Sequence, residues 1–168
     1  MLRLLILSDS HGRTDRIRQA LRQHPEVDAV LFLGDGLCDL DDICEGAFPA
    51  CICVRGNCDR YAMMRGQLVK QTEEVSFLGH RLLLTHGDAY GVKYSRDAII
   101  REARSRRADV VLFGHTHVPY EGYCSDDDGP LWLFNPGSVG AGRDGRCTYG
   151  LLTLTEQGDV LFSHAELR

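Results

Sequence analysis

Residues 29–36 read Ala-Val-Leu-Phe-Leu-Gly-Asp-Gly, five apolar residues running directly into an aspartate held between two glycines. An apolar run of that length without alternation fits a strand covered on both faces, as in the parallel sheets of α/β proteins. The glycines permit a tight turn and a close backbone approach. Asp35 is therefore expected at the carboxyl end of a strand, where open α/β sheets collect their ligand-binding groups.

The same unit recurs in both directions along the chain. Leu2–Leu7 runs into Ser8-Asp9-Ser10-His11-Gly12, and Ala50–Val54 into Gly56-Asn57-Cys58-Asp59. Arg81–Leu84 leads to Thr85-His86-Gly87-Asp88, and Val110–Phe113 to Gly114-His115-Thr116-His117. Helical patterns lie between some of these runs. Thr14 is placed to cap a helix with Ile17, Ala20, Leu21 and His24 on one face, ending at Pro25. Leu37, Leu40, Ile43 and Cys44 predict a shorter one. Ser95 is placed to cap a third, with Ala98, Ile99 and Ala103 inward and Arg96, Arg101, Arg104 and Arg107 outward. Beyond residue 70 hairpins take over: Glu73–Leu78 with Arg81–Leu84 across Gly79-His80, Tyr120–Cys124 with Leu131–Phe134, and Cys147–Leu154 with Val160–Ser163. Strand–helix alternation followed by hairpins predicts an α/β (α+β) fold, two mixed sheets packed together with helices outside.

The chain's 168 residues suit one domain, 1–168. A hydrophobic content of 43% excludes disorder. The excess of acid, 19 basic against 24 acidic residues for a net charge of −5, argues against general nucleic-acid binding. No apolar run approaches the roughly 20 residues that span a bilayer, and the N-terminus lacks a signal-peptide pattern, so no membrane partner and a cytoplasmic location are expected. Seven cysteines without a C-x-x-C pair read as reduced, buried thiols. Arg101–Arg107 reads as the solvated face of a helix, and Asp126–Asp128 as a hairpin turn.

Almost every strand end carries a metal-ligand residue type: Asp9 and His11, Asp35, Asn57 and Asp59, His86, then His115 and His117. Singly, each is a turn former or a core histidine. Jointly, with four of the seven histidines in these turns, they point to a metal site. Carboxylate, amide and imidazole ligands without thiolate suit Mn²⁺, Fe²⁺ or Zn²⁺. Even with Asp59 set aside, seven candidate ligands exceed the needs of one ion, so two ions sharing a carboxylate is the economical arrangement. Such pairs, about 3.5–4 Å apart, stabilise the attacking and leaving oxygens of an in-line displacement and activate a hydroxide.

In series, Asp9-Ser-His11, Gly34-Asp35, Gly56-Asn57-Cys58-Asp59, His86-Gly87 and Gly114-His115-Thr-His117 resemble the five blocks of the calcineurin-like metallophosphoesterase family, in that family's order. The match looks closest to its small single-domain prokaryotic phosphodiesterase branch. Asn135-Pro136-Gly137-Ser138 and Tyr149-Gly150 extend the likeness, the former as a turn packed beneath the metals. The resemblance implies a four-layer α/β/β/α sandwich. It implies that Asp9, His11, Asp35 and His117 hold one ion and Asp35, Asn57, His86 and His115 the other. Mn²⁺ is the expected metal, with Ni²⁺, Co²⁺, Fe²⁺ or Zn²⁺ as alternatives. It further implies a phosphodiesterase working by in-line attack of a metal-bridging hydroxide, with Asp35, Asn57, Cys58 and His86 as its catalytic residues.

One position departs from the wider family. Many members carry histidine at the position of Cys58, whereas members of the small prokaryotic branch resemble this chain in carrying cysteine there. A neutral thiol is a weaker proton donor than an imidazolium and stabilises less charge. Activity on diesters and poor activity on alkyl monoesters are therefore expected, with a small phosphodiester as the partner and a homo-oligomer left open. The alternatives are a monoester or protein phosphatase on the same scaffold and a non-catalytic scaffold subunit like the retromer sorting protein. With motifs spanning Asp9 to Ser138, little chain remains for a cap, and an open site is expected.

Overall fold

The computed structural model describes residues 1–44 and 49–168. The chain runs β1 (Leu2–Leu7), α1 (Thr14–Gln23), β2 (Ala29–Phe32), α2 (Leu37–Asp41), β3 (Ala50–Cys53), β4 (Met63–Met64), β5 (Gln67–Leu68), β6 (Thr72–Phe77) and β7 (His80–Thr85). It continues with α3 (Asp97–Ser105), β8 (Val110–Leu112), β9 (Pro119–Asp126), β10 (Gly129–Pro136), β11 (Cys147–Leu154) and β12 (Val160–Leu167). Among the described residues, apart from the short β4-β5 ribbon, there are two five-stranded sheets, one with the order β12-β11-β1-β2-β3 and the other β6-β7-β8-β10-β9. Both are mixed: β1, β2 and β3 are parallel, as are β7, β8 and β10, and the antiparallel strands come from the hairpins. Among the described residues no helix is long and apolar enough to cross a membrane.

The period of two along each strand sorts the apolar residues into three cores. Leu4, Ile6, Leu31, Leu82, Leu84, Val110, Leu112 and Phe134 fill the space between the sheets. Leu5, Leu7, Val30 and Phe32 turn the other way, against Ile17 and Ala20 of α1 and Leu37 and Leu40 of α2. Leu83, Val111, Phe113, Leu131 and Leu133 pack on Ile99 and Ala103 of α3. The layers are therefore α/β/β/α, as expected. Where the sheets meet, the Phe134 ring stacks on Phe162 and His164 with centroids 4.5 and 4.4 Å away. A Cβ on Gly150 would stand 2.3 Å from that ring, so only glycine fits opposite it.

Several local expectations shift. Thr14 is the first helical residue of α1, and no side chain caps that helix. Ser95 does accept the Asp97 N–H at 3.1 Å, but α3 begins two residues after it. The β6–β7 turn is Leu78-Gly79, both at positive φ (48° and 86°), so His80 belongs to the strand. That backbone follows the right-handed twist of the paired strands. β3 lies at a sheet edge and is only partly covered, where two-sided burial was expected. Of the seven unpaired cysteines only Cys44 is buried, and Cys38 and Cys58 are exposed.

The arginine-rich helix is not simply a solvated face. Arg96 lies over the Tyr120 ring at 3.8 Å. Arg104, only 13% exposed, pairs with Asp126 at 2.7 Å and donates to the carbonyls of Asp128 and Gly129. The acidic turn between β9 and β10 is thus clamped to α3. Arg104→Ala is expected to destabilise the fold by about 2 kcal/mol, since it removes partly buried, charge-assisted hydrogen bonds. Urea unfolding reads this directly, and an unchanged midpoint would show that the clamp contributes nothing.

Candidate metal centre

The turns that follow β1, β2, β3, β7 and β8 converge at one end of the sandwich. Asp9, His11, Asp35, His115 and His117 all sit at positive φ, between 47° and 66°. Side chains other than glycine adopt that region at a cost of about 1–2 kcal/mol each, so the surroundings must hold them there. They do so by lashing the turns together. The Asp9 N–H donates to Gly34 O at 2.9 Å, His11 N–H to Asp35 O at 3.3 Å, and Gly114 N–H to His86 O at 3.0 Å. Beneath them, the Ser138 hydroxyl donates to Asp9 O at 2.7 Å, and the Asn135 amide to Gly114 O at 2.7 Å. The Asn135-Pro136-Gly137-Ser138 turn is the architectural support expected of it.

Asp9 and His86 are fully buried and Asp35 nearly so, whereas the His11 and His117 side chains are 30% and 23% exposed. The centre is closed on one wall and open on the other. Asp9 Oδ2 accepts from the Ser8 hydroxyl at 2.5 Å and from His115 N–H at 3.1 Å. Its Oδ1 is buried with no hydrogen-bond donor among the described residues, 3.0 Å from His117 Nε2 and 4.0 Å from His86 Nε2. Asp35 Oδ1 accepts the Cys58 N–H at 2.7 Å, and its Oδ2 lies 3.3 Å from His86 Nε2.

The histidine rings are oriented from behind. His86 Nδ1–H donates to Leu33 O at 2.7 Å, and His117 Nδ1–H to Ala141 O at 2.9 Å. A carbonyl accepts only, so each Nε2 is the nitrogen left with a lone pair, as in histidines prepared for metal. His117 Nε2 faces His11 Nε2 at 3.1 Å, and His86 Nε2 faces His115 Nδ1 at 3.2 Å. In each pair the lone pair of one ring is met either by a proton on the facing nitrogen or by a cation that both nitrogens share. The acidities carry the same signature. Burial works to raise the Asp9 carboxyl, but His11 and His117 hold it below the usual carboxylate range. Asp35 is likewise lowered against burial by His86. The His11 imidazole is raised by Asp9, and His86 is raised against burial by Asp35. His115 is lowered by burial and by His86.

Among the described residues, ligand atoms gather into three overlapping groups, each within 4.8 Å: Asp9, His11 and His117; His11, Asp35 and Cys58; and Asp35, His86 and His115. Asp35 bridges two of them. A buried carboxylate oxygen without a donor among the described residues, beside converging imidazole nitrogens, fits divalent transition-metal ions. Asn57 is exposed on the neighbouring turn, its amide donating to Cys58 Sγ at 3.3 Å. The sequence pattern counts no thiol among the ligands, yet the fold brings Cys58 Sγ beside His11 and Asp35. Burial, then the Asp35 carboxylate, push that thiol up to about 11, which keeps it protonated.

The supporting shell was less legible. Asp59 accepts the N–H groups of Asp35, Gly36, Leu37 and Gly56, all between 2.7 and 2.9 Å. Asp39 accepts the Ser10 hydroxyl at 2.5 Å and Gly12 N–H at 2.8 Å. Sequence reasoning missed Ser8 and Asp39, and no local pattern marks them. The other three histidines make structural contacts outside the centre: His24 bonds Tyr149, His164 bonds Asn135 O, and His80 bonds Asp109 through Nδ1 while its buried Nε2 has no partner among the described residues.

Gly56 packs directly against the bridging carboxylate, where a Cβ would stand 2.1 Å from Asp35 Oδ1. Gly56→Ala is expected to displace Asp35 and lower bound metal at least tenfold, of the order seen when groups positioning a ligand are lost. Metal analysis after dialysis reads the loss, and full retention would mean that Asp35 does not need its present position.

Residues 2–157 match the family described as the calcineurin-like phosphoesterase superfamily domain. A probable metallophosphoesterase of Bacillus subtilis (strain 168), YsnB, is 30% identical over 155 residues, covering 91% of this chain and 85% of that protein. An archaeal phosphodiesterase of known structure superposes with a TM-score of 0.72 at 22% identity, covering 99% of this chain and all of the other. Vps29 of Entamoeba histolytica, solved in complex with zinc, superposes with a TM-score of 0.66 at 18% identity, covering 98% and 99%.

Proposed function

The chain belongs to the calcineurin-like phosphoesterase superfamily, and from that premise we propose that it hydrolyses small phosphodiesters at a centre of two divalent metal ions, most suitably Mn²⁺. The observation that carries this reading is the pairing of imidazole nitrogens around two buried carboxylates, one of which stands in two ligand groups. Asp9, His11, Asp35 and His117 would hold one ion, and Asp35, Asn57, His86 and His115 the other. Such ions supply Lewis-acid neutralisation of phosphoryl oxygens and make water a stronger acid. The chain's own contribution is positional. Leu33 O and Ala141 O fix the ring tautomers, Asp59 and Asp39 fix the turns, and the exposed side of His11 and His117 admits the substrate.

Cys58 favours diesters over monoesters. Its thiol is neutral, so it adds no cation for the extra charge that a monoester carries. Cys58→His would place an imidazole beside His11 and Asp35. Turnover of p-nitrophenyl phosphate is expected to rise about tenfold relative to bis(p-nitrophenyl) phosphate, at the low end of the range for general acid–base groups. An unchanged ratio would remove Cys58 from substrate choice.

The archaeal phosphodiesterase with this fold supports the diester reading. Vps29, a sorting protein by name, supports the second reading, a scaffold whose site binds metal without turnover. Metal content alone does not separate the two. A panel of chromogenic mono- and diesters with added Mn²⁺ does: diester turnover is expected, and none in metal-loaded protein would favour the scaffold. The odd number of cysteines suits a reducing compartment, and the cytoplasm is the proposed location.

A further inference from the structure

A pocket of about 320 Å³ opens beside the metal centre, with His11, Asp35 and Cys58 along one wall. Arg60 and Tyr61 line it from the chain that follows the Asn57 turn. Neither belongs to the metal centre. Tyr61 is 76% exposed, a large aromatic surface left open to water at the edge of a reaction site. Arg60 makes no ion pair among the described residues. The carboxylates that share the pocket do not oppose an anion there as free charges. Asp59 is engaged by four backbone N–H groups, Asp39 by Ser10 and Gly12, and Asp35 faces the metal centre. What remains available is one aromatic face and one guanidinium, next to the place where the scissile phosphate would lie.

We infer that this pocket receives one ester arm of the substrate, an arm carrying a planar aromatic ring that lies on Tyr61, with any further anionic group of that arm against Arg60. The inference rests on the phosphodiesterase reading and narrows it to diesters with an aromatic or nucleoside arm. Aromatic platforms of this kind take any flat ring, because every such ring has a π face to stack. Selectivity for an aromatic arm over a small alkyl arm is therefore expected to be about tenfold, the size of one stacking contact.

The test compares methyl, benzyl and thymidine-5′ 2,2,2-trifluoroethyl phosphates, which share a non-aromatic leaving group whose release is read by fluorine NMR. The expected result is a kcat/KM about tenfold higher for the benzyl and thymidine esters than for the methyl ester. Tyr61→Ala should bring those ratios close to one, and Tyr61→Phe should preserve them. Preference for the thymidine ester alone, lost in Tyr61→Ala, supports the inference and identifies a nucleoside as the occupant. Ratios near one in the unaltered protein, or ratios untouched by Tyr61→Ala, overturn it. Absence of turnover with every ester would count against the phosphodiesterase reading. Binding then decides the inference separately: thymidine 5′-monophosphate should shift the Tyr61 ring resonances in the NMR spectrum of the zinc-loaded protein, and ribose 5-phosphate should not. No shift with the thymidine nucleotide overturns it.

Discussion

Asp35→Asn is expected to lower diester turnover by at least about 10³-fold while leaving the fold intact, a loss at the upper end of that seen for single electrostatic groups. The side chains are nearly the same size, so the change is one of charge. Asp35 stands in two of the three ligand groups, with Cys58 and His11 on one side and with His86 and His115 on the other. His11 also stands in two groups, but in the proposed assignment Asp35 alone serves both ions, so its substitution weakens both halves of the centre, whereas loss of His11 or His115 weakens one. The amide also introduces two donors where Asp35 Oδ1 now accepts the Cys58 N–H. Metal analysis should show fewer than two ions per chain under conditions that load the unaltered protein. Full occupancy with full turnover would remove Asp35 from the centre.

The second large effect lies outside the candidate ligands. Asp59 joins the turn after β2 to the turn after β3 through four backbone N–H groups. Asp59→Ala would orphan all four. At about 1–3 kcal/mol for each unsatisfied partner, and with water relieving some of them, the loss of stability should be about 3 kcal/mol. Because Asp35 N–H is one of the four, bound metal should fall as well. Urea unfolding and metal analysis on the same variant read the two consequences together. Asp127→Ala, on the exposed turn of the β9–β10 hairpin, should change stability by no more than about 0.5 kcal/mol. If the two variants behave alike, Asp59 is an ordinary surface acid.

Asp59 also marks where sequence reading stops. Its position after Gly56-Asn57-Cys58 identifies a turn, and the turn-forming role that an aspartate has singly at a strand end is the one it performs. Its reach to Asp35, Gly36 and Leu37 is not visible, because those residues lie 22 to 24 positions earlier in the chain. Arg104 is a parallel case. A helical arginine reads as solvated, and only the docked hairpin shows it clamping Asp126. Cys58 divides the same way. Its presence in place of histidine is plain from the residues, but its place beside His11 and Asp35 follows from the fold.

The sequence by itself determined the layers and the type of site. Apolar runs record which strands are covered, and a ligand residue just beyond such a run is carried to the strand's end by covalent connection alone. Tertiary structure decided the rest: the order of strands, the half-exposed edge at β3, the left-handed turns, the ring tautomers and the aromatic pocket. Each of those depends on groups distant in sequence coming within hydrogen-bonding or van der Waals reach. Short-range interactions of that kind have no counterpart in the linear pattern until the two sheets pack.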